Sequence, residues 1–330
     1  MKISQVIGDA VRVALGHPVH VERFLAAHPH FKPALVRPEQ NIALSSVPQW
    51  QKLGAWGTKE ELRRAGRTAL MGWRREGSAY RSFGGTCPSL SNLVKRVVID
   101  DWTCDLQDLH GFAASKSELA KFDSIDQMVE TNSQEMIQDI SPAGLAKNLA
   151  HKDIRVTGAN PGSDWLQVHQ WDGRVFVLND GGSHHLAAAK YIAARIQQPV
   201  ALSAPLHYYA FDPEAVAALQ AEFDVYIVNK HCTVSNAFFA AAESAGVTWL
   251  SHQLPEPYSG EKAIFLPRDE PLSMKVSQAF KEAGFEELGA HMAEVASRDV
   301  PEVISKYLLG KGQDVDADAD GETEVAGQYA

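Results

Sequence analysis

Apolar residues along the chain recur at two spacings. Near the N-terminus, MKISQVIGDAVRVALGHP has one early lysine, and its apolar stretch is broken by Asp9 and Arg12. That predicts a short amphipathic helix rather than a signal peptide. Residues 18–58 carry Pro18, Pro29, Pro33, Pro38 and Pro48 and read as loops with short elements. Thr58 with Glu61 three residues on forms a capping-box pattern, predicting a helix through about Arg75 with Leu62, Ala65, Ala69 and Trp73 on one face. SFGGTCPS, residues 82–89, reads as a turn-rich break, and Leu93 to Ile99 as a β-branched strand.

From Ser115 to Ala150 the pattern is polar and helical, with Ser141-Pro142 opening a helix. Trp165 to Trp171 then alternates, Asp172-Gly173 supplies a turn, and Arg174 to Leu178 is nearly all apolar, together predicting a hairpin. A helix over 185–197 stops before Pro199. Strands at Val200–Tyr209, Val225–Val228, VTWL and Ala263–Leu266 alternate with helices from Asp212-Pro213, over Asn236–Ala245, and over about Leu272–Ala283. The expected class is α+β, with a basic N-terminal helical and loop region at 1–95, an α+β domain at 96–309, and an acidic tail at 310–330. That tail lacks large apolar residues and is expected to be disordered. Its DVDADADG run resembles a calcium loop, but counting from Asp316 the closing position falls on Gly327, which offers no ligand.

Charge adds an asymmetry. Residues 1–100 hold 15 Lys+Arg against 7 Asp+Glu, leaving 16 against 34 in the remainder. The basic excess peaks over 59–81, where Arg63, Arg64, Arg67, Arg74 and Arg75 either meet nucleic acid or an acidic protein, or form a solvated face against the acidic rest of the chain. Three widely spaced cysteines, Cys87, Cys104 and Cys232, fit a reducing, cytoplasmic setting and argue against a disulfide framework. No apolar run approaches bilayer-spanning length, so no membrane partner is expected. His231-Cys232 reads as a buried thiol beside a histidine, since adjacency in sequence does not make a nucleophilic pair.

The richest chemistry lies in WLQVHQWDGRVFVLNDGGSHHLAAAKYIAARI. A buried strand leads to Asn179-Asp180, Gly181 and Gly182 permit a tight turn, and a helix starts near Ser183 or His184. The unpaired N–H groups of a first helical turn favour an anion, and glycines let a phosphate approach them. Gly181, Gly182, Ser183 and His184 are the phosphate-binding candidates, and Asp180, His184 and His185 the candidates for handling protons. The bland alternative is turn chemistry alone, with Ser183 as an N-cap. His169 shares a strand face with Trp165 and Trp171 and raises the option of a metal held by His169, His184 and Asp180, although no HxxxH spacing is present.

NDGGSHHLAAAKYIAARI resembles the signature turn and Ala-rich helix of the ParB/sulfiredoxin-like superfamily, and the preceding SPAGLAKNLA helix and hairpin lie in the matching order over about 137–230. The resemblance implies a mixed sheet with surrounding helices and a nucleotide of the ATP or CTP class at this helix start. Asp180 would act there as a general base or hold a magnesium ion. Members include CTP-binding partition proteins, sulfinic acid reductases, serine kinases and nucleases. Gly182 and His184 match the glycine and histidine of the sulfiredoxin pattern, but Ser183 stands where the reactive cysteine would be and His185 where most members have arginine. Sulfinic acid repair by that route is therefore not expected, and a bidentate arginine clamp is missing. Phosphoryl transfer or phosphodiester hydrolysis is the expected class of any reaction, and a non-catalytic interaction protein working through 59–81 is the alternative.

Overall fold

The computed structural model describes residues 3–33, 41–53, 69–157, 164–300 and residue 304. The acidic tail and Arg63, Arg64 and Arg67 lie outside the described residues. Two helices open the chain, α1 (Ile3–Ala14) and α2 (Val19–Ala27), with Gly16 at φ +74° between them. The expected N-terminal helix is thus present; Ile7 and Val11 on it, and Leu15 just past its end, are more than half exposed. The proline-rich stretch holds α2 in addition to short turns, because Val19, Val21, Phe24 and Leu25 supply a buried apolar face between Pro18 and Pro29.

The helix expected to run through Arg75 is instead a strand over its last part. β1 (Ala69–Glu76) and β2 (Ala79–Thr86) form an antiparallel hairpin around Gly77 at φ +62°. Partner pairing decides the conformation here: Trp73 faces Trp249 across the sheet and their rings stack 4.6 Å apart, a non-local contact that the helical pattern of charges does not reveal. Nor is SFGGTCPS mainly a turn, since residues 82–86 belong to β2. The glycines there serve packing: a Cβ on Gly85 would lie 2.3 Å from Leu250, and one on Gly72 would lie 2.6 Å from the Phe83 ring.

β3 (Val94–Asp105) and β4 (Leu109–Phe112) follow, then α3 (Ile125–Asn132), capped by Ser124, and α4 (Pro142–Leu149), capped by Ser141. The hairpin is present as β5 (Trp165–His169) and β6 (Val175–Leu178), with Gly173 at φ +81° in the turn. α5 (Ser183–Arg195), β7 (Ala201–Phe211), α6 (Pro213–Glu222) and β8 (Phe223–Asn229) come next. The series closes with α7 (Cys232–Ala245), β9 (Trp249–Gln253), β10 (Glu261–Pro267), α8 (Pro271–Glu282) and α9 (Leu288–Ala296).

The strands make two five-stranded sheets, and the fold is mixed α+β. One sheet, in the order β3-β7-β5-β6-β4, combines antiparallel and parallel pairs. The other, β2-β1-β9-β10-β8, is antiparallel throughout. It joins residues 69–86, assigned by charge to the N-terminal region, to strands from 223–267. Both its faces are covered: Leu70, Val225, Leu250 and Phe265 pack with α6 and α9 residues, and Tyr226, Val228 and Ile264 pack with α2, α7 and α8 residues. Beneath the second face the carboxylate of Asp224 is fully buried. It accepts from Arg268 at 2.6 Å, from Lys281 at 3.1 Å and from the Ser277 hydroxyl. Burial pushes this carboxyl up, but the Ser277 bond and the two cations outweigh it and hold it below the ordinary carboxylate range.

α5 bears the candidate site. Leu186, Ala187, Ala188, Ala189, Ile192 and Ala193 are buried, and the small alanines let α3 and α4 pack closely against it. Among the described residues, no helix is long and apolar enough to cross a membrane.

Candidate functional site

The turn between β6 and α5 is fixed by Asn179. Its side-chain amide donates to the Gly181 carbonyl at 2.7 Å and to the Ala114 carbonyl at 3.2 Å, which ties the loop carrying Ser115 and Ser117 to the helix start. Gly182, at φ +74°, is the N-cap residue, and no side chain caps this end. Ser183 is not the cap: it lies inside the helix, buried, and its hydroxyl donates to Ser115 Oγ at 2.9 Å. The glycines are needed for another reason. A Cβ on Gly182 would sit 2.8 Å from the Asp153 carbonyl oxygen, and one on Gly181 would sit 3.2 Å from the Asp153 carboxylate. The His151–Asp153 turn therefore covers the glycine face, and a carboxylate already stands beside it.

His184 faces away from that turn, toward a group of hydroxyls. Its Nε2 is 3.1 Å from Ser117 Oγ, and its Nδ1 is hydrogen-bonded to Ser133 Oγ. Asn132 Nδ2 donates to Ser117 Oγ at 2.7 Å, so the Ser117 proton is directed at Nε2. With the Ser117 proton on that bond, Nε2 accepts and Nδ1 carries the ring proton toward Ser133 Oγ. Burial chiefly lowers the His184 pKa, with Lys116 adding to the effect and Glu135 opposing it, so the ring is neutral at pH 7.

His185 Nδ1 lies 3.1 Å from Asn148 Oδ1, and its ring stacks on His151 with 3.9 Å between centroids. Asn148 Nδ2 donates to the Met136 and Gly144 carbonyls, so its oxygen is the acceptor and His185 Nδ1 carries the proton. Burial, then the two neighbouring histidines, lower this pKa as well. Asp180 stands apart: its side chain is 86% exposed, and Arg155, at 4.0 Å, pairs it alongside Asp153 and Asp164.

His169 does not join the cluster. β5 runs antiparallel to β6 with Trp165 opposite Leu178, which puts His169 at the hairpin end of the strand, away from the α5 start. It is fully buried, with Gln167 Nε2 2.8 Å from its Nε2 and Tyr209 and Trp171 against its ring. A metal held by His169, His184 and Asp180 is excluded by this register. Among the described residues, no group of three or more His, Cys, Asp or Glu side chains is placed to hold a metal ion.

Of the basic candidates within the described residues, Arg74 pairs with Glu76 at 2.8 Å and lies over the Phe83 ring. Arg75 donates to the Glu243 carbonyl in the last turn of α7 at 2.8 Å. Both have partners within the chain. The side chain of Cys232 lies outside the described residues. Ser115, Ser117, Asn132, Ser133 and Asn148 are not marked by any pattern in the sequence. They come from segments 35 to 68 positions before Ser183, and the local hint is the Ser115-Lys116-Ser117 run.

A family model described as a family of unknown function (DUF6685) matches residues 99–302, more than half of the chain, and takes in every member of this cluster. No curated protein and no solved structure matches the chain.

Proposed function

The chain belongs to the DUF6685 family, and we propose that it binds a nucleotide or another phosphate ester at the start of α5 and handles a proton there through His184. The observation that carries this is the imidazole of His184, held at both nitrogens by serine hydroxyls in the first turn of a helix that no side chain caps. The ligand would enter on the Ser117 side, opposite Asp153. There the Asn132 amide and the nearby Lys116 ammonium supply donors in addition to the first-turn N–H groups. A neutral imidazole with its acceptor nitrogen toward Ser117 is suited to take a proton, so phosphoryl transfer or phosphodiester hydrolysis is the reaction class. The order of hairpin, glycine turn and Ala-rich helix, as in the ParB/sulfiredoxin-like superfamily, supports the same reading.

The test is thermal unfolding of the full chain with ATP, ADP, CTP, GTP and inorganic phosphate, with and without magnesium. A ligand at a hundred times its Kd stabilises by about 2.7 kcal/mol, which shifts Tm by several degrees. Lys116→Ala and His184→Ala should reduce that shift. A flat response of the wild type to every ligand rejects the reading.

A further inference from the structure

We propose that Ser117 is a nucleophile activated by His184, and that the cluster forms a covalent phosphoryl ester on its hydroxyl. This rests on the phosphate-ester reading above and extends it to a residue and a chemical step.

The geometry is that of an activated hydroxyl. Ser117 Oγ lies 3.1 Å from His184 Nε2, within reach for direct proton transfer. Asn132 Nδ2 occupies one Oγ lone pair at 2.7 Å and orients the hydroxyl proton toward the imidazole. Ser133 holds the far nitrogen and so orients the ring, and its hydroxyl can accept the Nδ1 proton in the tautomer that leaves Nε2 as the acceptor. A base whose other nitrogen is held by a third group is the arrangement that makes serine hydroxyls reactive in unrelated folds, here with a serine in the third place instead of a carboxylate. Ser117 is half-buried, so a ligand can reach it, whereas Ser183 is buried and bonded to Ser115.

In the step, Ser117 Oγ attacks phosphorus and its proton passes to His184 Nε2. The bond from phosphorus to the leaving oxygen breaks, and that oxygen takes the proton from Nε2. Water then attacks the same phosphorus and gives a proton to Nε2. The bond from phosphorus to Ser117 breaks, Oγ recovers the proton, and phosphate leaves. No electrons are transferred, and water is the only co-reactant.

The test uses the full chain with a fluorophosphonate probe, in which phosphorus gains the Ser117 oxygen and loses fluoride. Intact mass and peptide mapping should show one adduct, on Ser117. Ser117→Ala should abolish it, and His184→Gln should slow it at least tenfold with the far-UV spectrum unchanged. Ser91→Ala, an exposed hydroxyl outside the cluster, should label at the wild-type rate and guards against general loss of structure. No adduct on Ser117, or an equal rate in His184→Gln, overturns the proposal. Nucleotide-dependent Tm shifts, measured on the same samples, separate the two readings. A shift without an adduct removes the nucleophile and leaves binding, whereas an adduct on Ser117 without any shift upholds the nucleophile and removes nucleotide binding.

Discussion

The His185 ring lies face to face with that of His151, 3.9 Å between centroids and 17° from parallel. This contact holds the 151–153 turn against the start of α5, where the Asp153 carbonyl presses on Gly182. The glycine is thus a packing requirement as well as a conformational one, and the two can be separated by substitution.

Gly182→Ala meets both a left-handed φ and a 2.8 Å approach to a backbone oxygen, whereas Gly173→Ala meets a similar φ of +81° with nothing within 4 Å. A non-glycine residue in that region costs about 1–2 kcal/mol. Gly173→Ala should cost about that much and Gly182→Ala at least ~1 kcal/mol more, read from urea midpoints at a common slope. Equal losses would mean that the 151–153 turn yields freely. A larger side chain at 182 would unfold the corner before it could report on a ligand.

Burial drives the His169 pKa down to about 3, from an ordinary 6.5. Between those values the unfolded chain binds a proton that the folded chain refuses, so stability falls as pH drops from about 6.5 toward 3. The slope from this residue approaches about 1.4 kcal/mol per pH unit. Urea unfolding at pH 7, 5 and 4 should show His169→Gln losing less stability on acidification than the wild type. Parallel losses would place the titration elsewhere.

What can be read in the sequence divides along a physical line. The hairpin, the caps at Ser141 and Asp212, and the Gly246 stop are local devices, and each stands where the residues put it. β1 defeats the helical reading because it pairs along its length with β2 across the Gly77 turn and its Trp73 faces Trp249, some 175 positions away. The α5 start is legible as a place but not as an arrangement. His184 stands out, but Ser117 and Ser133 reach it through tertiary packing, and nothing in an isolated serine marks its partner.

Asp224→Asn should destabilise the protein by about 3 kcal/mol or less. Removing one partner of a buried ion pair costs about 3–5 kcal/mol when the remaining charge is trapped. Here Arg268 and Lys281 are nearly half exposed and can turn to water. Chemical denaturation at pH 7 gives the value, and a loss above about 5 kcal/mol would show that the cations cannot turn to water.

Substituting Arg74 and Arg75 by Gln should leave affinity for nucleic acid at low salt within about twofold of wild type, because both guanidinium groups already have intrachain partners. Filter binding or anisotropy on a duplex and a single strand measures it. A tenfold loss would restore 59–81 as a working surface.

The pairing of β1 with β9 has a consequence for any shortened form of the protein. A fragment cut to residues 99–302 retains the whole serine–histidine cluster but lacks β1 and β2. It would present the backbone of residues 249–253 as an open strand edge and bare the ring face of Trp249 that Trp73 covers. An unprotected edge of this kind invites a second copy to pair with it. The first hairpin therefore moves the sheet edge from β9 out to β2 and covers Trp249 with residues that lie outside the matched segment.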